Sequence, residues 1–106
     1  MGVDVLGGFE HQVLLALLRL GQEGYTVSVL GEMESLTGKT PTAAAVYTSL
    51  RRMEKRGFLE SEIVPSPKGG RPIRVFSMLP EALDALRRSK AALERYWDGL
   101  AVLDNG

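Results

Sequence analysis

The apolar residues of the chain recur at the spacing of a helix in four segments and alternate with polar residues in two others. A recurrence every three or four residues predicts helices over residues 9–20, 26–37, 41–56 and 80 to about 103. Alternation with β-branched and aromatic residues predicts strands over residues 58–64 and 73–78. Residues 22–25, between the first two helices, are predicted to be a loop. The predicted order is three helices, two strands and a long last helix.

The link between the two predicted strands is rich in proline and glycine. Pro65, Pro67 and Pro72 cannot continue a helix or pair inside a sheet, and two adjacent glycines favour a tight turn. The link is therefore predicted to be an exposed hairpin tip. Three helices followed by such a hairpin indicate a winged helix-turn-helix, a mostly α fold with a small β-hairpin. We predict this domain over residues 1–78, followed by a C-terminal dimerisation helix over residues 79–106.

Two of the predicted helices carry more apolar surface than a domain of this size covers by itself. The first helix has apolar residues on all sides, including Leu14 and Leu18. In the last helix, Leu86, Leu93 and Leu100 are seven residues apart, a spacing that suits packing against another helix. We therefore predict a homodimer, and the predicted interface residues are Phe9, Leu14, Leu18, Leu86, Leu93, Tyr96, Trp97, Leu100 and Leu103.

Two aromatic residues near the end of the chain, Tyr96 and Trp97, allow two interpretations. Large aromatic side chains are costly to expose, so both residues suit the core of a dimer. A small flat aromatic ligand stacked on them between the subunits is the alternative. The sequence leaves both interpretations open.

The charges of the chain separate along its length, although the formal net charge is zero. Residues 1–38 contain one basic and five acidic residues, whereas residues 39–74 contain eight basic and three acidic residues. The remaining residues, 75–106, contain four basic and five acidic residues. A surface that binds phosphate groups, such as those of double-stranded DNA, is therefore expected in the middle third of the chain.

The third predicted helix has one apolar and one polar face. Ala43, Val46, Leu50 and Met53 share the face that is predicted to meet the core. Small residues on the opposite face let a helix approach the base edges of the major groove, and later basic residues reach the phosphates. The predicted DNA-contacting residues are Thr42, Ala44, Ala45, Tyr47, Thr48, Arg51, Arg52 and Lys55 on this helix and Lys68, Gly69, Gly70, Arg71 and Arg74 on the hairpin. A solvated helix face, a plain hairpin and half-buried packing of Tyr47 are the alternatives.

The sequence contains few residues for catalysis or metal binding. It has no cysteine and one histidine, His11, which lies inside the apolar first helix. No Cys/His or Ser/His/Asp set can be assembled from these residues, so we predict neither an enzyme nor a bound cofactor. Thr37-Gly38-Lys39-Thr40 is similar to the end of a phosphate-binding loop, but Met33 stands where that loop requires its first glycine.

The expected location of the protein is the cytoplasm. The longest apolar run, residues 13–18, is far shorter than the roughly 20 residues that cross a bilayer. Residues 1–8 lack the basic and apolar regions of a signal peptide. We therefore predict no association with a membrane.

Several segments spread over almost the whole chain resemble one known family. They include Gly24-Tyr25, Leu36-Thr37-Gly38, Ala45-Val46-Tyr47-Thr48-Ser49-Leu50, Lys55-Arg56-Gly57-Phe58 and Gly69-Gly70-Arg71. Together, with their spacing, they are similar to the PadR family of bacterial transcriptional regulators, in its shorter subclass with a single C-terminal helix. The resemblance implies a homodimeric repressor that binds inverted repeats. Relief of repression by a small-molecule inducer is a further hypothesis, for which the family gives no common ligand. It also implies that Tyr47 and the Gly69-Gly70-Arg71 wing lie on the DNA side.

The chain departs from the family pattern after the wing. The family often has a second base directly after its Gly-Gly-Arg, whereas Pro72 and Ile73 precede Arg74 here. The start of the last helix also differs, because the family tends to have Thr and a later Gly there, whereas this chain has Leu79-Pro80-Glu81-Ala82-Leu83. A winged helix that binds a protein instead of DNA is the alternative function, and the net charge of zero is compatible with it.

Overall fold

The computed structural model describes residues 6–100 of the chain. Within them, the helices and strands follow the predicted order, with one short strand added after the first helix. The elements are α1 (Gly8–Arg19), β1 (Glu23–Gly24), α2 (Thr26–Thr37), α3 (Ala43–Lys55), β2 (Leu59–Val64), β3 (Ile73–Met78) and α4 (Pro80–Trp97). The predicted fold class, mostly α with a small β-hairpin, is confirmed.

The added strand, β1, lies in the segment that was predicted to be a loop. Glu23 and Gly24 pair antiparallel with Ser77 and Phe76, which makes a three-stranded sheet in the order β1-β3-β2. A strand of two residues is too short to show alternation, so its sequence carries no signal. Gly24 is required by close packing, because a Cβ at this position would lie 2.9 Å from the Ser28 hydroxyl.

Two helix ends differ from the prediction by more than one residue. Helix α3 begins two residues later than predicted, because Thr42 caps it: the Thr42 hydroxyl accepts a hydrogen bond from the Ala45 N–H at 3.0 Å. Helix α4 ends at Trp97, since Gly99 adopts a left-handed conformation with φ of 80°. Leu100 therefore follows the helix, and Leu103 lies outside the described residues.

The core lies between the helices and the inner face of the sheet. Val13 and Leu17 of α1, Leu50 of α3 and Phe76 of β3 are all completely buried. The first half of α4 belongs to the same core, because it buries Ala82, Ala85 and Leu86. Helix α4 is thus packed directly on the three-helix domain along this half.

Two predicted placements are wrong. Leu14 was predicted at a subunit interface, but it is completely buried in the chain's own core, because α1 is covered by α2, α3 and α4 at once. Ala43 was predicted to face the core, but it is exposed at the first turn of α3, and the buried Ser49 completes the inner face of the helix.

Candidate nucleic-acid interface

Helix α3 presents the predicted polar face to solvent. Its inner face is formed by Val46, Leu50 and Met53, all completely buried. The capped start at Thr42 and the left-handed Gly57, with φ of 86°, set the two ends of the helix. The exposed residues of the outer face are Thr42, Ala44, Ala45, Tyr47, Thr48, Arg52 and Lys55, and Arg51 is half-buried.

The turn between α2 and α3 holds the two helices in a helix-turn-helix arrangement. Gly38 ends α2 in a left-handed conformation with φ of 74°. The Thr40 hydroxyl then donates a hydrogen bond of 2.8 Å to a Glu34 carboxylate oxygen on α2. This bond ties the turn back to α2, so that α3 leaves the turn in a defined direction.

Tyr47 joins α3 to the sheet. Its ring meets the buried Phe76 ring edge to face, with 6.2 Å between the centroids, and 40% of the residue stays exposed. Arg51 lies one turn later, and its Nη1 donates to the Tyr47 hydroxyl at 3.4 Å. Tyr47 is therefore partly a packing residue, but its exposed portion and hydroxyl border the outer face of α3.

A carboxylate, Glu54, links α3 directly to β2 and, through the Ser61 hydroxyl, to β3. Its Oε1 lies 3.6 Å from Arg51 Nε, and its Oε2 accepts a hydrogen bond of 2.7 Å from the Ser61 hydroxyl on β2. Arg74 Nη1 on β3 donates to the same hydroxyl at 2.9 Å. The network orients two of the predicted DNA-contacting arginines, Arg51 and Arg74, relative to each other.

The hairpin formed by β2 and β3 is the wing of the fold, and its tip, residues 65–72, is exposed and basic as predicted. Gly69 and Gly70 have φ values of 77° and 86°, a backbone conformation that strains any residue with a side chain. Ser66 closes the turn, because its carbonyl accepts from the Gly69 N–H and its hydroxyl from the Lys68 N–H. Lys68 and Arg71 beside the glycines are exposed. Arg74 differs, since it is half-buried within β3 and not on the tip.

The acidic residues of the hairpin do not face α3. Side chains alternate between the two faces of a strand, so Glu60 and Glu62 lie on the face opposite to Ser61. Ser61 contacts Glu54 of α3, and its face of β2 is therefore the one turned to the helix. The outer face of α3 and this face of β2 therefore meet at Glu54, whose carboxylate contacts Arg51 of α3 and the Ser61 hydroxyl of β2.

A comparison with protein families decides where the chain belongs. The profile of the family described as Transcriptional regulator PadR-like family matches residues 14–81, from α1 through the wing to the start of α4. The chain belongs to this family. PadR-like proteins are transcriptional regulators and not enzymes.

Solved structures agree with the family. A PadR family transcriptional regulator from Eggerthella lenta is similar with a TM-score of 0.68 and 26% identity, over 86% of this chain and 79% of that one. A PadR-like transcriptional regulator from Bacillus cereus has a TM-score of 0.70 and 17% identity, with 92% of each chain covered. A winged-helix DNA-binding protein from STIV has a TM-score of 0.67 and 11% identity, over 84% of this chain and 90% of that one. A comparison with curated protein sequences finds no significant match.

This PadR-like chain has a second surface of interest, an apolar groove between α1 and α4. The groove has a volume of about 680 Å³, and it is bordered by Leu18, Leu93 and Trp97, which are 37%, 48% and 50% exposed. Leu86 lines it although it is nearly buried. At its edge, the buried Ser89 hydroxyl of α4 lies 3.0 Å from His11 Nδ1 of α1. Four of the predicted interface residues therefore line this groove, namely Leu18, Leu86, Leu93 and Trp97.

The other predicted interface residues lie elsewhere. Phe9 packs against the core and borders a different groove, between α1 and α3. Tyr96 is 80% exposed but does not line the α1–α4 groove, and Leu100 lies beyond the end of α4. In the described part of the chain, no helix has both the length and the apolar character needed to span a membrane.

Glu54 is the site residue that the sequence analysis missed. It was counted only as one of the three acidic residues in the basic middle third, yet it contacts Arg51 of α3 and Ser61 of β2. A signal was present, because Glu54 follows Arg51 by three residues and therefore shares a helix edge with it. Its second partner, Ser61, depends on how the hairpin packs on α3, and residue spacing does not report that.

The Glu54→Gln variant is expected to lower the free energy of unfolding by about 1 kcal/mol, because it weakens charge-assisted bonds that are only partly exposed to water. Urea unfolding at a fixed protein concentration measures the change. Glu60→Gln is the matched control, since Glu60 is an exposed carboxylate on β2 without an ion pair within residues 6–100. Equal midpoints for the two variants would show that the network contributes nothing to stability.

Proposed function

We propose that this PadR-like regulator is a homodimeric repressor that binds an inverted-repeat operator in double-stranded DNA. The observation that carries the proposal is that the outer face of α3 and the basic wing belong to elements that pack directly on each other. Both parts are exposed, and the contacts of Tyr47 with Phe76 and of Glu54 with Ser61 hold them together. A surface of this kind places a helix in the major groove and a hairpin along the sugar-phosphate backbone.

The two halves of the outer face of α3 have different proposed roles. The first half carries Ala44, Ala45 and Thr48, whose small side chains allow the helix to approach the base edges. The second half carries Arg52 and Lys55, which are long enough to reach phosphates on the wall of the groove. Contacts with base edges determine which DNA sequence is bound, whereas phosphate contacts set the register and orientation of the protein on the duplex.

The wing supplies the second set of backbone contacts. Lys68 and Arg71 extend from an exposed tip, and the backbone of Gly69 and Gly70 is open to close approach because no side chain covers it. Arg74, bound to Ser61, supports the base of the wing. Affinity that depends on phosphate contacts of this kind falls steeply as the salt concentration rises.

The apolar α1–α4 groove supports dimerisation. Exposed apolar side chains that cluster in one groove are typical of a surface covered by a partner. A two-fold dimer presents two α3 helices, and an operator with two inverted half-sites matches that symmetry. We propose that residues 79–106 form the dimerisation segment, with Leu93 and Trp97 near its centre.

The same groove supports a proposed inducer site. Leu86, Leu93 and Trp97 offer apolar and aromatic surface, and Arg87 and Lys90 stand at its border. A small aromatic molecule between the subunits would stack on the Trp97 ring. Binding there would change how the two α4 helices pack and relieve repression.

A salt titration of duplex binding tests the proposed function. Affinity is expected to fall by about 1000-fold between roughly 50 and 200 mM salt, because several basic side chains release counterions from the phosphates. Fragments of the source genome selected by binding provide the specific duplex for this measurement. Failure to bind any duplex at low ionic strength would favour the alternative function, a winged helix whose basic surface binds an acidic protein.

A further inference from the structure

We propose that the groove between the start of α1 and the side of α3 that carries Ser49 and Arg52 binds a phosphate group of the DNA backbone. The inference rests on the proposed function and adds a contact to it. The groove has a volume of about 690 Å³. The residues that line it are Gly7, Gly8, Phe9, Glu10, Ala44, Ala45, Thr48, Ser49 and Arg52.

The start of α1 supplies backbone donors. The first N–H groups of a helix have no partner inside the helix, and the helix dipole favours an anion beside them. Helix α1 is 12 residues long, and residues 6–100 provide no hydrogen-bond acceptor for the Gly8 and Phe9 N–H groups. The N-cap residue Gly7 has no side chain that could accept from these N–H groups, so they stay available to a phosphate oxygen.

A buried hydroxyl on α3 is the second observation. Ser49 lines the groove with only 3% of its surface exposed, and its hydroxyl has no hydrogen-bond partner within residues 6–100. Buried polar groups are nearly always paired in folded proteins, so an unpaired one calls for an explanation. A phosphate oxygen in the groove would give this hydroxyl a partner once the Ser49 side chain rotates toward the groove, because such an oxygen accepts hydrogen bonds from a hydroxyl and from backbone N–H groups alike.

The charges beside the groove are compatible with an anion. Arg52 lines the groove with an exposed guanidinium, and Thr48 adds a second hydroxyl. The nearby carboxylate of Glu10 is already paired, because Arg56 Nη1 lies 2.9 Å from its Oε1 and the side chain is only 13% exposed. Glu10 also accepts a hydrogen bond from the Gly7 N–H at 3.4 Å, which steadies the turn.

The position of the groove completes the proposed DNA contact. Tyr47 and the wing lie on one flank of α3, whereas Arg52 and the start of α1 lie on the other. A helix in the major groove has a sugar-phosphate backbone on each side. The wing therefore contacts one backbone and the α1–α3 groove contacts the other, so that α3 is held from both sides.

The Gly8→Pro variant tests the inference by removing a single backbone donor. Proline is favoured at the first helical position, Gly7 already has the extended conformation that must precede a proline (φ −61°, ψ 157°), and a Cβ at Gly8 meets no atom within 4 Å. Gly8→Ala keeps the N–H and is the matched control. Binding to a mixed-sequence duplex of about three helical turns is expected to weaken about tenfold per protomer in the proline variant alone.

The outcomes separate this inference from the proposed function. If the unaltered protein binds no duplex at low salt, the proposed function fails. If it binds and the proline and alanine variants bind equally well, the phosphate contact is wrong and the proposed function stands. Thermal unfolding checks that both variants fold. Should the proline variant not fold, Ser49→Ala decides, with binding about threefold weaker expected and unchanged binding contradicting the inference.

A free phosphate ion is the other source of the same oxyanion. The amide NMR signals of Gly8 and Phe9 are followed while either the duplex or inorganic phosphate is added to the isotope-labelled protein. We expect the duplex to shift both signals at micromolar concentration and inorganic phosphate to need far more. Saturation by inorganic phosphate without a response to the duplex would assign the groove to a small ion and overturn the proposal.

Discussion

The Leu93→Glu variant is expected to be a monomer that binds duplex DNA at least 100-fold more weakly than the unaltered protein. Leu93 is 48% exposed and lines the α1–α4 groove beside Trp97. In the proposed dimer, the new carboxylate would be buried against a partner without a compensating charge, which is costly. Loss of the dimer would also remove the gain in affinity that comes from binding two half-sites at once, typically about 100-fold or more.

Sedimentation and duplex binding measure the two parts of this prediction. Val27→Glu is the control for sedimentation, because it adds the same charge at an exposed apolar position on α2, outside the groove. Leu93 is exposed within its own chain, so the substitution leaves the core of the subunit intact. A Leu93→Glu variant that remains a dimer at micromolar concentration would place the subunit interface elsewhere.

The Arg71→Ala variant is expected to bind duplex DNA about 100-fold more weakly, with the dimer unchanged. Arg71 is exposed beside the left-handed Gly69 and Gly70 at the tip of the wing. Each lost phosphate contact costs about tenfold in affinity, and a dimer loses two. The slope of log affinity against log salt concentration should fall by about 2 for the same reason.

Arg95→Ala is the matched control for Arg71→Ala. It makes the same change of charge on an exposed residue of α4, about half a helical turn away from the stripe that contains Leu86 and Leu93. Binding should therefore differ from that of the unaltered protein only slightly. Equal losses for both variants would mean that net charge, and not a wing contact, determines affinity.

Most of the architecture could be predicted from residue spacing. The apolar face of α3 recurs at helical spacing, and the prolines and glycines of residues 65–72 exclude everything except a turn. Strand β1 was missed because two residues carry no periodicity, and because its pairing with β3 joins segments more than 50 residues apart. The burial of Leu14 was missed for a related reason, since sequence indicates that a side is apolar but not which element covers it.

The outer face of α3 was predicted in the same way, by excluding the positions that must face the core. The sequence could not show which contacts pack α3 against the hairpin. The hydrogen bond from Ser61 to Glu54 and the edge-to-face contact of Tyr47 with Phe76 depend on the angle between helix and sheet. The groove between the start of α1 and Ser49 of α3 likewise joins segments that are far apart in the sequence, and no local pattern predicts it.

The packing of the first half of α4 into the domain core bears on the spacing of operator half-sites. Ala82, Ala85 and Leu86 are buried, so no flexible joint separates the reading helix from the proposed dimerisation segment. Two such subunits would hold their α3 helices, which read the DNA in the proposed complex, at a constant distance from each other. Inserting about five base pairs between the half-sites would turn one of them to the far side of the duplex, where a rigid dimer cannot reach it.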